Sequence, residues 1–355
     1  MIGSGTNPLA QDLDHILEHT QGLWEELRNQ QIFITGGTGF FGSWLLESFT
    51  WANDRLDLNA KALVLSRNPD AFARKAPHLF NHPALGFLRG DARNFKFPED
   101  SYPYIILGAT ESSARLNSEN PLEMFDTIVN GTRHTLEFAR ACRARKCLFI
   151  SSGAVYGKQP AELTHIPEEY TGSPDLHDPG SAYGLGKRSA EYLCHVYADL
   201  YGIEVKIARC FAFVGPYLPL DAHFAFGNFI RDGLNGGPIV IKGDGTHYRS
   251  YLYTADLMIW LWKIFIEGEN SRPYNVGSSE DLTIRQLANL VANYFNRVHV
   301  IVEKDSSAGN IPQRYVPSIV LASNELGLCQ LVSLYTALKK TIQWFQGTER
   351  EGING

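Results

Sequence analysis

Tyr183 and Lys187 are the residues whose types and spacing point most directly to chemistry. They begin and end the stretch YGLGK, so in a helix their side chains lie one turn apart on the same face. A phenol has a pKa of about 10, and a nearby cation favours its phenolate; lowering that pKa to about 7 takes about 4 kcal/mol of differential stabilisation. Lys187 can supply much of this stabilisation. The pair therefore predicts a phenolate that accepts a proton near neutral pH.

Ser152 is the third residue of this candidate site. It lies in the stretch SSGAVYG (151–157), directly after an apolar run that predicts a strand ending at the serine. Tyr183 then opens a helical pattern that extends over 182–201. A second tyrosine and lysine at the same spacing, Tyr335 and Lys339, lie in a predicted C-terminal helix, where a surface lysine explains them. Tyr183 and Lys187 instead combine with a hydroxyl that can hydrogen-bond a developing alkoxide.

A glycine-rich turn near the N-terminus predicts a dinucleotide site. The apolar run 32–35 leads into Gly36, Gly39 and Gly42, and a helical pattern follows over 43–49. Glycines let the backbone approach a pyrophosphate closely, and the N-terminus of the next helix offers free N–H groups and a positive dipole end. The predicted cofactor residues in this turn are Gly36, Thr38, Gly39, Phe40, Phe41 and Gly42.

The elements that must position these residues follow a regular pattern. Strand-like and helical runs alternate along the chain, which predicts a parallel sheet with helices on both faces. We expect the α/β class, with a Rossmann-type doubly wound parallel sheet and a smaller C-terminal substrate-binding lobe. The expected divisions are a helical extension (1–30, with one amphipathic helix over 12–28), a dinucleotide-binding domain (31–215) and a mainly substrate-binding lobe (216–355) whose chain can cross back to the sheet.

The composition excludes several classes of partner. The chain of 355 residues has 44% hydrophobic and 20% charged residues and a net charge of −6, without a basic run, so no nucleic acid is expected. No apolar stretch is long enough for a membrane span, and no leader pattern begins the chain, so we expect a cytoplasmic protein. The cysteines lack a C-x-x-C pair and the histidines lack H-x-x-x-H or H-E-x-x-H spacing, so no metal site is expected.

Together these motifs resemble the extended short-chain dehydrogenase/reductase family of nucleotide-sugar epimerases and dehydratases. The resemblance extends from Gln31 to about Phe345. Several less specific motifs occur in the same order as in the family: Gly90-Asp91, Asn130-Gly131-Thr132, Arg209, Gly215-Pro216, Gly243-Asp244-Gly245, Arg249 and Tyr274-Asn275-Val276-Gly277.

This resemblance implies roles for the candidate residues. Tyr183 would take the proton of a sugar hydroxyl while hydride leaves the same carbon for a nicotinamide, Ser152 would bind the alkoxide, and Lys187 would also hold the nicotinamide ribose. The implied cofactor site further includes Ser66, Arg67, Asp91, Ala109 and Asn130. The resemblance also implies a homodimer formed by the helices near 122–143 and 182–201.

The residues after Ser152 bear on which reaction the enzyme performs. In the family's 4,6-dehydratases the next two positions resemble Asp-Glu. In its sugar-acid decarboxylases a Glu stands two residues before the tyrosine that corresponds to Tyr156. Here the two positions are Gly153 and Ala154, and neither side chain can move a proton. The stretch is closer to the 4-epimerases, which only oxidise C4, rotate the ketone and return the hydride. A 4-epimerase is therefore the favoured activity, and a 4,6-dehydratase is less favoured.

The end of the second predicted strand leaves the cofactor open between NAD and NADP. NAD-binding members usually carry an acid there for the ribose hydroxyls, whereas this chain has Ser66-Arg67-Asn68. Arginine pairs well with a 2′-phosphate, although it can also be a solvated surface residue. If Arg67 binds phosphate, NADP is preferred and an NADPH-dependent 4-ketosugar reductase becomes the alternative, whereas the epimerase interpretation favours tightly bound NAD. A catalytically silent NAD(P)-binding sensor is the alternative from another class, and the intact Ser, Tyr and Lys argue against it.

Candidate contacts to a nucleotide-sugar substrate lie in three places. Thr110, Glu111 and Ser112 follow the fourth predicted strand, at the sheet edge where the sugar would sit. Asn228, Arg231 and Arg249 match family positions that hold the nucleotide and its diphosphate, for which arginine is suited. Arg314 is a further candidate, with a structural ion pair as the alternative. Ala212 stands where the family often has Asn, so the contact made by that Asn is not expected here.

Overall fold

The computed structural model describes residues 7–110, 114–222, 224–296, 298–304 and 311–352. In chain order the strands are β1 (Gln31–Thr35), β2 (Lys61–Ser66), β3 (Leu85–Arg89), β4 (Tyr104–Leu107), β5 (Lys146–Ser152), β6 (Glu204–Cys210), β7 (Phe213–Val214), β8 (Ile239–Ile241), β9 (Tyr248–Ser250), β10 (Leu252–Tyr253), β11 (Pro273–Val276), β12 (Asp281–Thr283), β13 (Val300–Val302) and β14 (Arg314–Tyr315). The α-helices are α1 (Ala10–His19), α2 (Phe40–Arg55), α3 (Pro69–Lys75), α4 (Pro77–Phe80), α5 (Ala114–Glu119), α6 (Pro121–Ala141), α7 (Ala182–Tyr201), α8 (Ala225–Leu234), α9 (Thr254–Glu267), α10 (Ile284–Tyr294), α11 (Val320–Leu326) and α12 (Leu334–Gly352).

The central sheet has seven strands in the order β11-β6-β5-β4-β1-β2-β3, and all of them run parallel. The chain builds outward from β1 to β3 in one direction and from β4 to β11 in the other. The order therefore reverses between β1 and β4, and ligands of open α/β sheets bind at the carboxyl edge beside such a reversal. The predicted doubly wound α/β fold is confirmed.

The side chains of β1 show how both faces of the sheet are covered. Ile32 and Ile34 are fully buried in the apolar layer that contains Trp44 of α2 and Trp262 of α9. Phe33 points to the opposite face because side chains alternate along a strand, and its ring packs 4.8 Å from that of Phe138 in α6. Each fully buried side chain of this size contributes about 1.5–3 kcal/mol, so β1 is held from both sides.

The C-terminal lobe, here α8, α10 and the small strands β8, β9 and β12–β14, lies beyond the carboxyl edge of the sheet. Its three-stranded sheet has the order β12-β9-β14, and β14 runs parallel to β9 with Tyr315 opposite Arg249. Between the lobe strands β9 and β12 the chain returns to the main body. There α9 packs on the central sheet, and β11 extends that sheet beside β6. The division at residue 215 stays a prediction.

The N-terminal extension differs from the single helix expected over 12–28. Helix α1 ends at His19, and a separate 3-10 turn, Leu23–Leu27, follows. Gly22, with φ of +86°, separates the two pieces in a conformation that a continuous helix cannot contain. The apolar residues still face inward, since Leu13, Ile16 and Trp24 are buried. Asp12 secures α1 by accepting hydrogen bonds from the Tyr253 hydroxyl and the Lys340 ammonium, both at 2.7 Å.

No helix among the described residues is both long and apolar enough to cross a bilayer.

Candidate active site

A cavity of about 590 Å³ lies at the carboxyl edge of the central sheet, between that edge and the C-terminal lobe. Ser152, Tyr183 and Lys187 all line it, together with the glycine turn after β1. Its far wall is formed by Phe224 before α8, Arg249 of β9 and Tyr315 of β14. The structure therefore brings the predicted catalytic residues and the predicted phosphate-binding turn into one space.

Ser152 and Tyr183 meet across the junction of β5 and α7. Ser152 is the last residue of β5, and its Oγ accepts a hydrogen bond from the backbone N–H of Ala154 at 3.2 Å, which fixes the side chain at the strand end. Tyr183 is the second residue of α7, and its backbone N–H donates to Asn117 Oδ1 at 2.9 Å. Ser152 is close enough to the phenol to favour a lower pKa of Tyr183. Both hydroxyls are thus available to one oxygen atom of a substrate in the cavity.

Lys187 is buried on the same face of α7. Its ammonium donates to the carbonyl of Ile150 at 2.7 Å and to Thr110 Oγ1 at 2.8 Å, and Nζ lies 6.0 Å from the centre of the Tyr183 ring. Burial lowers the pKa of Lys187 to about 8, because the charged form loses hydration.

The pKa of Tyr183 departs in the direction opposite to the one expected from the sequence. Burial raises it to about 12, and the influence of Ser152 opposes that change only in part. The ammonium of Lys187 is directed to Ile150 and Thr110, and its Nζ lies 6.0 Å from the centre of the Tyr183 ring. The expectation that Lys187 supplies much of the stabilisation that would bring the pKa of the phenol toward 7 stays a prediction.

The glycines of the turn divide into two kinds when a Cβ is placed on each. At Gly36, with φ of +75°, a Cβ would lie 2.3 Å from the carbonyl oxygen of Gly108, and at Gly42 it would lie 2.3 Å from the carbonyl carbon of Gly37. The protein's own backbone requires those two glycines. A Cβ added at Gly39 would have its nearest neighbour 3.5 Å away. Gly39 is also exposed, lines the cavity and caps α2. The open space over Gly39 fits a pyrophosphate that approaches the N-terminus of a sixteen-residue helix.

The other predicted cofactor residues lie beside the turn rather than in the cavity wall. Thr38 Oγ1 is 3.4 Å from Ser66 Oγ, at the carboxyl end of β2. Arg67 follows and is exposed. The pKa of Asp91 is lowered mainly by its ion pair with Arg93 at 2.8 Å, and the charge of Arg67 lowers it further. These four predicted residues, Thr38, Ser66, Arg67 and Asp91, therefore cluster at the ends of β1, β2 and β3.

Ala109 and Asn130 contribute less to this arrangement. The backbone N–H of Ala109 donates to Thr35 Oγ1 at 3.2 Å, which holds the loop after β4 against the glycine turn. Asn130 is exposed on α6, and its amide lies 3.4 Å from Asp126 Oδ1. Neither residue lines the cavity, so their assignment to the cofactor stays a prediction.

The predicted substrate residues separate into cavity residues and ion-pair residues. Thr110 and Arg249 line the cavity, and Glu111 and Ser112 lie outside the described residues. Arg231 pairs with Asp221 at 3.3 Å and Asp232 at 2.9 Å. Arg314 pairs with Asp281, and its guanidinium lies 3.9 Å from the centre of the Tyr248 ring.

The structural alternative given for Arg314 therefore describes its contacts better than a phosphate site does, and Arg231 is engaged in the same way. Asn228 also faces inward, with its amide 2.9 Å from the carbonyl oxygens of Leu220 and Ala222. None of these three side chains lines the cavity, so the geometry gives no support to their predicted contacts with the diphosphate.

Two features of the site had not been expected from the sequence. Tyr315 places its hydroxyl 3.4 Å from Ser152 Oγ. Next to Ser152 in the chain, Ser151 donates a hydrogen bond to Glu191. Glu191 also forms a buried ion pair with Arg209 at 2.7 Å. The spacing of Lys187 and Glu191, four residues apart on one helix, is a signal that could have placed Glu191 near the site.

Among the residues that the structure describes, no three His, Cys, Asp or Glu side chains are grouped in a way that could hold a metal ion.

Residues 32–277 match the NAD dependent epimerase/dehydratase family, which is more than half of the chain. The chain belongs to this family. The resemblance read from the motifs is confirmed. Curated members with similar sequences include UDP-glucuronic acid decarboxylase 1 of Danio rerio, 30% identical over 322 residues (90% of this chain and 73% of that protein), and UDP-glucuronic acid decarboxylase 5 of Arabidopsis thaliana, 31% identical over 303 residues (84% of each chain).

Solved structures with the same fold include two epimerases. The UDP-glucose 4-epimerase of Thermotoga maritima with UDP-glucose has a TM-score of 0.76 at 22% identity and covers 90% of this chain and 100% of its own. The UDP-glucuronic acid 4-epimerase of Bacillus cereus in complex with NAD also has a TM-score of 0.76 at 22% identity, over 90% of this chain and 99% of its own. At this identity the likeness establishes the fold.

Gly39→Ala tests the open space over the glycine turn. We expect the variant to fold with a loss of about 1 kcal/mol or less, because the added Cβ contacts only Gly36 at 3.5 Å. We expect it to bind NAD+ and NADP+ about tenfold or more weakly, because the methyl group occupies the path of the pyrophosphate. Calorimetric titration and urea unfolding measure the two effects. Gly237→Ala, where a Cβ meets no atom within 4 Å, is the matched control, and unchanged cofactor affinity in Gly39→Ala would show that no ligand approaches this turn.

Proposed function

We propose that this protein is a nucleotide-sugar 4-epimerase that acts with a bound nicotinamide dinucleotide. The observation that carries the proposal is the convergence of Ser152, Tyr183 and Lys187 on a cavity that also contains the open glycine turn. The UDP-glucuronic acid decarboxylases, at about 30% identity, and the epimerase structures support a nucleotide sugar as the substrate. The choice of an epimerase among these activities depends on the residues that surround Ser152.

The protein's own groups handle the proton of the sugar hydroxyl. Tyr183 accepts this proton once its phenol is ionised, and Ser152 donates a hydrogen bond to the oxygen as negative charge develops on it. When bound, the nicotinamide takes up a hydride from the sugar carbon and gives it back. Lys187 is one turn along α7 and holds the ends of β4 and β5 together through Thr110 and Ile150, so the proton acceptor and the sheet edge keep a fixed distance.

The positions after Ser152 favour an epimerase over the two lyases. A Cβ at Gly153 would lie 2.6 Å from the Phe211 ring, so the acid of the dehydratase pattern would require that ring to move. Ala154 lines the cavity at the position where the decarboxylase pattern has Glu. With no carboxyl group at either position, the site lacks the proton-transferring groups that those two patterns supply. A 4-epimerase requires neither of them.

A product assay on purified protein tests this proposal. Each of the UDP, dTDP, GDP and CDP forms of glucose and galactose is incubated with the protein and examined by mass spectrometry and NMR, with and without added NADPH. We expect a product of unchanged mass with inverted C4. Reaction of the corresponding 4-ketosugars only with NADPH would instead indicate a reductase, and tight cofactor binding without any turnover would indicate a sensor.

Tyr183→Phe tests the proton acceptor in the same assay. We expect kcat to fall about 10²-fold or more, because the variant retains the ring but has no oxygen to accept the proton. Tyr335→Phe is the matched control, since Tyr335 is the other tyrosine that precedes a lysine by four residues and it is exposed on α12. Equal activity in the two variants would exclude Tyr183 as the acceptor.

The end of β2 supports NADP as the preferred cofactor, and with it the 4-ketosugar reductase as a second candidate activity. Ser66 and the exposed Arg67 occupy this end, and the nearby carboxylate of Asp91 is paired with Arg93. We expect Arg67→Ala to weaken NADP+ binding about tenfold while NAD+ binding stays unchanged, because only NADP+ has a 2′-phosphate to lose its partner. Arg74→Ala, exposed on α3, is the control. A wild-type protein that binds NAD+ more tightly than NADP+ would contradict this preference.

Exposed apolar residues on α6 and α7 support the homodimer that the resemblance implied. Leu122 is 78% exposed, Tyr192 69% and Leu200 63%, and the two helices pack side by side on one face of the sheet. We expect a dimer in sedimentation velocity, and we expect Tyr192→Glu to shift it toward monomer because a charge replaces apolar contact area. Val320→Glu, at a residue 62% exposed on α11, should leave the dimer intact. A monomeric wild-type protein would rule out this assembly.

A further inference from the structure

A buried carboxylate on α2 holds the turn that leads from the central sheet to the C-terminal lobe. Glu47 is almost fully buried, and it accepts a hydrogen bond from the Tyr217 hydroxyl at 2.6 Å. A second partner is Nε2 of His78 in α4, at 2.8 Å. Burial and the neighbouring Glu47 raise the pKa of Tyr217, so its hydroxyl stays protonated and donates this bond. Because a buried carboxylate is costly without such partners, the contact with Tyr217 is a strong constraint.

Tyr217 belongs to the turn 215–218, which lies between β7 and α8. It has φ of +68°, a left-handed conformation that is unfavourable for a residue with a Cβ, so the turn needs outside contacts to keep its shape. Helix α2 supplies two of them from one face, because Trp44 and Glu47 are three residues apart. The indole N–H of Trp44 donates to the Pro216 carbonyl at 2.8 Å, and Glu47 holds the Tyr217 hydroxyl.

The same turn contributes to the cavity and supports α8. Leu218 is buried and lines the cavity, as do Pro219 and Phe224, and these three residues are here called the turn wall. Helix α8 approaches this segment closely: a Cβ at Gly227 would lie 3.0 Å from the Pro219 carbonyl oxygen and 3.7 Å from Leu218 Cδ2. A shift of the turn would therefore displace the turn wall and the start of α8 together.

The reacting groups lie on other elements. Ser152 ends β5, and Tyr183 and Lys187 belong to α7. On α2, Glu47 lies about two helical turns beyond Gly39. Loss of the contact between Glu47 and the turn should therefore change the fit of a ligand against the turn wall and leave the proton acceptor and the cofactor turn in place.

We propose that Glu47 is a positioning residue that sets the turn wall for the nucleotide sugar through the Tyr217 hydroxyl. This inference rests on the proposed function, which supplies the ligand. It goes further by assigning substrate affinity to a contact outside the cavity, since neither Glu47 nor Tyr217 lines it.

Tyr217→Phe tests this contact in the cofactor-saturated protein. The variant keeps the ring, and Glu47 retains His78 as a partner, so we expect it to fold. The probe is whichever of UDP-, dTDP-, GDP- and CDP-glucose the wild-type protein binds most tightly in calorimetric titration. We expect the Kd and the KM of that compound to rise about fivefold, the loss of one net hydrogen bond. We expect kcat and the Kd of NAD+ and NADP+ to change by less than about twofold, because the reacting groups are not displaced.

Hydrogen exchange gives a second readout that does not depend on the ligand. We expect the backbone amides of the segment 217–222 to exchange about tenfold or more faster in Tyr217→Phe than in the wild-type protein, because the turn loses a contact with α2. The amides of α7, which carries Tyr183, should exchange at an unchanged rate.

Two further variants separate positioning from a general loss of stability. Tyr274→Phe is the matched control, because it also removes a hydroxyl that donates to a glutamate, Glu325 at 2.8 Å, but on β11 and outside the cavity wall. We expect this control to bind the probe as the wild-type protein does. Glu47→Gln keeps an amide oxygen that can accept from the Tyr217 hydroxyl, so we expect its Kd to stay within about twofold of the wild-type value.

The outcomes separate this inference from the proposed function. If the wild-type protein binds a nucleotide glucose and Tyr217→Phe binds it equally well, the contact does not set the turn wall and the inference is wrong. The same conclusion follows if Tyr274→Phe, or Glu47→Gln, weakens binding as much as Tyr217→Phe does. If the wild-type protein binds none of the four compounds, the proposed function fails, and this inference fails with it.

Discussion

A buried lysine ammonium joins the three parts of the structure that form the candidate site. Lys187, 2% exposed, connects α7 to the carbonyl of Ile150 in β5 and to Thr110 in the loop after β4. Removing a charge from water is costly unless hydrogen bonds replace the lost hydration, so these contacts must be made whenever the ammonium is charged. They set the distance between the helix that carries Tyr183 and the strand that carries Ser152. The lowered pKa of Lys187 and the raised pKa of Tyr183 both follow from the same burial.

The residues that follow Ser152 carry the choice of an epimerase in the proposed function. The serine is flanked by Gly153 and Ala154, and the Phe211 ring occupies the space that a larger residue at Gly153 would need. The proposed function therefore leaves proton transfer to Tyr183. Overall identity of about 30% to decarboxylases is compatible with another reaction, because family members share the fold while a few residues at the site decide the chemistry.

Local patterns in the sequence were sufficient for the fold and for the centre of the site. Strand, glycine turn and helix are neighbours along the chain, so the phosphate-binding turn could be identified from residues 32–49, and Tyr183 and Lys187 share a helix. Tyr315 could not be found in this way, because β14 has only two residues and is positioned by β9, far away in the sequence. The ion-pair partners of Arg231 and Arg314 could not be predicted from the sequence either, since turns and strand pairing bring Asp221 and Asp281 to them. The N-terminal helix was predicted too long because its apolar spacing continues through Gly22, where the backbone turns.

The measurement that tests the central claim most directly is the isotope effect of a nucleotide sugar deuterated at C4. The account assigns Tyr183 and Ser152 to the oxygen on the carbon that loses hydride. It therefore predicts a primary isotope effect on kcat/KM for deuterium at C4, no primary effect for deuterium at C3, and deuterium retained at C4 of the inverted product. Loss of the label to solvent would show that the C4 hydrogen leaves as a proton, and a primary effect from C3 alone would show that another carbon reacts; either result would contradict the account.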